Sequence, residues 1–153
     1  FSAVDGCSAP NPATTMHGMA RAMGWFAGAG TRGDSLSKAA AQLTMAMYDN
    51  PMQVAGEGRA CTDLMQAARE PVALKTGAEG YFVAILPKRG LGIAVKIADG
   101  ATRGAECAIT ALLVRLGVID AQHPAALRRM NAPIMNWRGV VTGSIRPAAH
   151  HLH

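Results

Sequence analysis

The run Tyr81–Leu86, "YFVAIL", is the longest continuous apolar stretch of the chain, and Pro87 closes it. Six residues rich in branched and aromatic side chains fit a buried strand. They fall far short of the roughly 20 that a membrane-crossing helix needs. A second stretch of the same kind, Gly92 to Ala98, follows "PKRG", so the two predict a β-hairpin whose first strand runs from Lys75 to Leu86. Elsewhere the apolar residues recur at helical spacing. Met16, Met19, Ala20, Met23 and Ala27 predict a helix over about 13–27, with Thr14 or Thr15 as its cap. Leu36, Ala39, Ala40, Leu43, Met47 and Tyr48 give the inward face of a second helix over 35–48, capped by Asp34 or Ser35 and ended by Asn50-Pro51. A short helix over 62–69 and an amphipathic one over 101–116, stopped by Gly117, complete the reading. Helices before and after a hairpin make an α+β fold, an antiparallel sheet flanked by helices.

With 153 residues, half of them apolar, the chain can bury one core. Its formal charge of +5 is unevenly placed: residues 1–120 hold eleven Lys/Arg against ten Asp/Glu, whereas 121–153 hold four arginines and no acid. Only Trp137 accompanies those arginines as an aromatic, so a stacking surface for nucleic acid is not expected. Residues 1–120 read as the main body, and 121–153 as a basic tail with Pro124, Pro133 and Pro147 that completes the same domain, irregular apart from a short strand at "TGSI". Cys7, Cys61 and Cys107 are odd in number and match no disulfide framework, which favours a reducing, cytoplasmic setting. "FSAVDGC" has neither an initiator methionine nor a signal-peptide core and reads as a start inside a longer protein.

Chemistry concentrates at Lys75-Thr76-Gly77. A K-T-G tripeptide at the start of a strand is a mark of penicillin-binding proteins and class A β-lactamases, whose nucleophilic serine comes from S-x-x-K. There an ammonium relays protons or draws in an anion, a hydroxyl holds a carboxylate, and glycine admits substrate close to the strand. The plainer reading of Lys75 is a solvated residue at a strand end. Ser35-Leu36-Ser37-Lys38 has the S-x-x-K spacing but opens a helix and reads as a cap. Glu57 and Arg59 in "GEGR" read, on the residues alone, as a surface ion pair or turn; Glu79 in "GAEG" is a general base or, more simply, a turn residue. Cys61 and Cys107 read as small buried hydrophobes and His17 as a helix-surface residue. His150, His151 and His153 suggest metal binding or a tag remnant. "GAGTRG" matches G-x-G-x-x-G, but a helix precedes it where the nucleotide fingerprint needs a strand.

"VDGCSAPNPA", "VAGEGRACTDLM", "LKTGAEGYFVAILPKRGLGIAVKIADG" and "LLVRLG", in that order over residues 3–120, resemble the C-terminal half of the L-asparaginase II family, the rhizobial-type asparaginases. The resemblance implies a fold like that of serine β-lactamases and penicillin-binding proteins, and hydrolysis of L-asparagine to aspartate and ammonia through a serine acyl-enzyme. By it, Lys75 stands beside the catalytic serine; Asp5, Thr76, Gly77, Glu57 and Arg59 line the substrate site; and Cys7 is a zinc ligand. The other zinc ligands and the nucleophile would lie in an N-terminal half or a second subunit, with a homodimer as the expected assembly. The alternative is a non-catalytic binding or regulatory member with a thiol or zinc site at Cys7.

Overall fold

A computed structural model describes residues 2–148; the calls on His150, His151 and His153 lie outside the described residues. At its centre is an antiparallel sheet of three strands, β3 (Ala73–Thr76), β4 (Tyr81–Leu86) and β5 (Leu91–Lys96), in that order. Lys75 lies opposite Val83, and Val83 opposite Ala94. The single strand expected from Lys75 to Leu86 is therefore two strands. Glu79 (φ 59°) and Gly80 (φ 67°) turn the chain between them, and the buried Val72, Ala73 and Leu74 carry the first strand's start two residues earlier. K-T-G consequently sits at the end of β3 and in the turn.

The flanking hairpins β1 (Ser2–Val4) with β2 (Pro10–Pro12), and β6 (Ala132–Met135) with β7 (Val141–Ile145), form separate two-stranded sheets. The helices are α1 (Met16–Ala27), α2 (Ser35–Asp49), α3 (Pro51–Ala55), α4 (Ala60–Ala67), α5 (Thr102–Arg115) and α6 (Pro124–Met130). Thr15 caps α1 by accepting from the Gly18 N–H. Asp34 caps α2 by accepting from the Ser37 N–H at 2.9 Å, and this bond holds its carboxyl below the usual range. Ser35 thus starts the helix rather than capping it.

The alternation of β4 divides the core. Phe82, Ala84 and Leu86 meet Leu64 and Met65 of α4 and Ile109 and Leu113 of α5 in the main core. On the opposite face, Ala73 and Ile85 meet only Ala27, with Met23, Phe26 and Met47 partly buried around them. The α2 stripe is partly shifted from its expected face: Ala40 is buried and Met47 and Tyr48 half-buried as expected, but Ser37 and Thr44 are buried as well, while Leu36, Ala39 and Leu43 are exposed. α1 comes close to the sheet. A Cβ at Gly92 of β5 would collide with main-chain atoms of Ala20, Met23 and Gly24, so helix and strand touch backbone to backbone.

The tail is more ordered than its prolines suggest. Pro124 opens α6, where a missing N–H costs nothing, and Pro133 lies in β6, within a two-stranded hairpin. α6 is fixed by charge. Arg129, buried among α4, α5 and α6, donates to Asp63 at 2.8 Å and to the Ala125 carbonyl at 3.1 Å, with Glu106 at 3.8 Å. Arg128 donates to the same Asp63 oxygen at 2.9 Å.

Two outcomes test these contacts. Gly92→Ala should destabilise the fold by about 2 kcal/mol or more through forced separation of α1 from β5, read as a lower urea midpoint with unchanged slope. Asp63→Ala should cost roughly 3 kcal/mol or more by stranding the Arg129 guanidinium. The double variant Asp63→Leu/Arg129→Met should recover most of that loss, and failure to recover would mean that the ion pair is not the cause.

Candidate functional site

Successive side chains of a strand point to opposite faces, so β3 sends Lys75 toward α1 and α2 and Thr76 toward α4. Lys75 is exposed and its Nζ donates to the Thr76 carbonyl at 2.7 Å. It stands at a cleft of about 370 Å³ whose other lining includes Met23, Phe26, Thr44, Met47 and Val83, an almost wholly apolar wall beside one ammonium. Among the described residues Thr44 carries the only hydroxyl lining that cleft, and it donates to the Ala40 carbonyl at 2.9 Å. Sequence spacing passed over Thr44 because it lies within a helix, off the stripe read as inward.

On the other side, α4 seals the free edge of β3 with sulfur. The Thr76 N–H donates to Cys61 Sγ at 3.2 Å, and the Leu74 N–H to Met65 Sδ at 3.4 Å. The two acceptors are four residues apart, one helical turn, which matches alternate residues of the strand. Burial pushes the Cys61 thiol up. The Thr76 N–H and the charges of Lys75 and Arg59 pull the other way without cancelling it, and Glu106 adds to the rise. Cys61 is therefore a buried hydrophobe, as expected, whose sulfur also accepts from the Thr76 N–H.

Gly77 has a specific neighbour: a Cβ there would lie 2.9 Å from Cδ1 of Tyr81, so its openness admits the Tyr81 ring. The Thr76 hydroxyl is turned inward, 3.4 Å from the Tyr81 carbonyl. Burial pushes the Tyr81 phenol up, and its hydroxyl is a buried polar atom without a partner among the described residues. Such a group beside K-T-G is a candidate that the sequence showed only as part of an apolar run. Glu79 is a turn residue, its carbonyl taking the Lys96 ammonium.

Glu57 and Arg59 are exposed on the turn from α3 to α4, where Gly56 and Gly58 have φ of 89° and 68°. Thr62 holds that turn by donating to the Gly56 carbonyl at 2.6 Å. The structure joins Arg59 to the Cys61 environment and gives no such link for Glu57. Asp5 and Cys7 lie apart, in the exposed turn of the β1–β2 hairpin. The Asp5 carboxylate accepts from the Gly6 N–H at 2.6 Å and lies 3.8 Å from the Cys7 thiol. These are two donors where zinc takes three or four protein ligands, and among the described residues no group of three His, Cys, Asp or Glu is placed to hold an ion. They do not by themselves fit a zinc site. His17 is exposed, as expected, and Cys107 is buried, which pushes its thiol up.

Lys75 thus stands at an apolar cleft whose lining does not include Cys61, Arg59 or the Tyr81 phenol. No curated protein matches the sequence. The family model for L-asparaginase II matches residues 1–147, nearly the whole chain. The chain belongs to the L-asparaginase II family.

Proposed function

We propose that this chain forms part of an amidohydrolase that converts L-asparagine to L-aspartate and ammonia, with Lys75 at its active centre. The family match over residues 1–147 carries the reading; the setting of Lys75 at an apolar cleft supports it. A serine hydroxyl attacks the carboxamide carbon, its proton passing by way of the Lys75 amine to the departing nitrogen, so that ammonia leaves and an acyl-enzyme forms. Water then adds to the ester and releases aspartate and the serine. Backbone donors stabilise the oxyanion in both steps.

No serine lines the Lys75 cleft among the described residues. Ser37 is buried with its hydroxyl accepting from Arg32 Nε at 2.8 Å, and Ser35 is exposed at the start of α2. The proposal therefore takes the nucleophile from outside this sequence, from a further segment or a different subunit, with a homodimer as the proposed assembly of the whole enzyme. Asp5, Thr76, Gly77, Glu57 and Arg59 belong to the proposed substrate surface. Any zinc at Cys7 would draw its remaining ligands from elsewhere, and no step depends on it. The relation to serine β-lactamases and penicillin-binding proteins is part of the same reading, supported by helices on both faces of the sheet and by K-T-G on an edge strand. A reducing, cytoplasmic setting accords with three unpaired cysteines. No helix among the described residues is long and apolar enough to cross a membrane.

The test is ammonia release from L-asparagine by the protein together with its nucleophile-bearing partner or segment. Lys75→Ala should lower kcat/KM by about 100-fold or more, as loss of a proton-transferring group does, and near-normal turnover would sink the assignment. Thr44→Val should leave turnover intact; its loss would move the nucleophile inside this chain. Tyr81→Phe should leave the melting temperature unchanged or raise it, because it removes a buried hydroxyl without a partner.

A further inference from the structure

The turn after K-T-G is locked against a second turn distant in the sequence. The Gly77 N–H donates to the Tyr81 carbonyl at 2.8 Å, which closes Gly77 to Tyr81 into one loop. Gly80, buried at its far end, presses on Gly100-Ala101: a Cβ there would lie 2.9 Å from the Gly100 carbonyl carbon and 3.2 Å from the Ala101 nitrogen. A Cβ at Gly100 would in turn lie 2.9 Å from a carboxylate oxygen of Glu79. Both glycines have positive φ, 67° and 72°, so the two turns fit together only because each offers a bare main chain to the other.

Glu79 is the strained point of this fit. It is not a glycine, yet its φ is 59°, a conformation that residues with a side chain seldom adopt. Lys96 supplies the constraint. The register puts Lys96 opposite Tyr81 and Lys75 opposite Val83, so Lys75, Tyr81 and Lys96 belong to one face of the sheet. The Lys96 ammonium donates to the Glu79 carbonyl and, at 3.3 Å, to that of Ile97. Those two carbonyls flank the last rung between β4 and β5, where the Ile97 N–H donates to the Gly80 carbonyl at 3.0 Å. A charged donor makes the stronger bond. Here its acceptors are main-chain groups, so the charge fixes the shape of the turn instead of forming an ion pair. The same stretch of main chain begins at the Thr76 carbonyl, which takes the Lys75 ammonium at 2.7 Å.

We propose that Lys96 is a positioning residue for the reaction proposed above, on which this inference rests. Its ammonium holds the strained turn at Glu79 closed. The closed turn fixes the main chain of Thr76 and Gly77, and the Thr76 carbonyl in turn sets the direction of the Lys75 ammonium. Lys96 touches no reacting atom and acts only through that chain of contacts.

Two substitutions at this exposed side chain separate charge from packing: Lys96→Met keeps the apolar stem and removes the donor, and Lys96→Arg keeps a donor. In the folded chain alone, Lys96→Met should speed hydrogen exchange of the Gly77 amide by about tenfold or more while the amides of α5 keep their protection. With the nucleophile-bearing partner or segment present, the same variant should lower kcat for L-asparagine by about tenfold or more with KM little changed. Lys96→Arg should restore most of both. Unchanged exchange at Gly77, or faster exchange with no fall in kcat, overturns the inference while Lys75→Ala still decides the chemistry by itself. Exchange that speeds alike throughout α5 would show a general loosening and overturn it equally. If Lys75→Ala keeps its turnover, the proposed chemistry falls and the positioning role of Lys96 falls with it.

Discussion

The contact between α1 and β5 at Gly92 sets the geometry of one whole face of the sheet. With no Cβ at that position, the helix backbone settles on the strand at Ala20, Met23 and Gly24. A helix held that low cannot leave room for a layer of large side chains beneath it, so the core on this side shrinks to Ala27, Ala73 and Ile85 with Met23, Phe26 and Met47 around them. The remaining width, between the edge of α1 and the small-residue face of α2, is the cleft that Lys75 borders. The candidate site thus follows from a glycine on a strand at the far side of the sheet.

The opposite face supplies the stability that this thin layer lacks. Phe82, Leu64, Leu74, Leu86, Ile109 and Leu113 are fully buried there, each contributing on the order of 2 kcal/mol of apolar burial before entropy is subtracted. α6 joins that core through Ala125 and Ala126, and the buried Arg129 fixes its position against Asp63. A buried ion pair adds little net stability over an apolar pair, but it penalises every arrangement that separates its partners. It pins the tail to the body.

Much of this was legible in the sequence wherever a periodic apolar pattern coincided with local chain chemistry. α1, α2 and α5 lie within a few residues of their expected spans, because caps such as Thr15 and Asp34 and the stop at Gly117 act on neighbours in the chain. What escaped depends on distant partners. α6 is short and anchored by a residue 66 positions away in sequence, Asp63, so its own composition carries no helical stripe. The inward face of α2 was read correctly at Ala40 and Met47 but missed Thr44, whose burial depends on contacts with other elements, while Leu36 and Leu43 stay outside. At the site, Lys75, Thr76 and Gly77 could be singled out by type and order. Cys61, Thr44 and Tyr81 could not, since each gains its meaning from contacts across elements.

K-T-G itself is reshaped by where β3 ends. Adjacent strand residues face opposite ways, so the ammonium of Lys75 and the hydroxyl of Thr76 cannot both look into one cleft from the strand's face. What they share is the edge. The Thr76 carbonyl takes the Lys75 ammonium and the Thr76 N–H rests on the Cys61 sulfur, a weak acceptor. A substrate carboxylate or amide oxygen approaching that edge would compete with a thiol for the N–H and with a carbonyl for the ammonium. Both exchanges favour the incoming oxygen when it carries charge, because a charged acceptor forms the stronger bond. The edge of β3 is therefore closed to other strands by sulfur atoms of a core helix, and on the proposed reading a substrate oxygen reaching the Thr76 N–H has only a weak acceptor to replace.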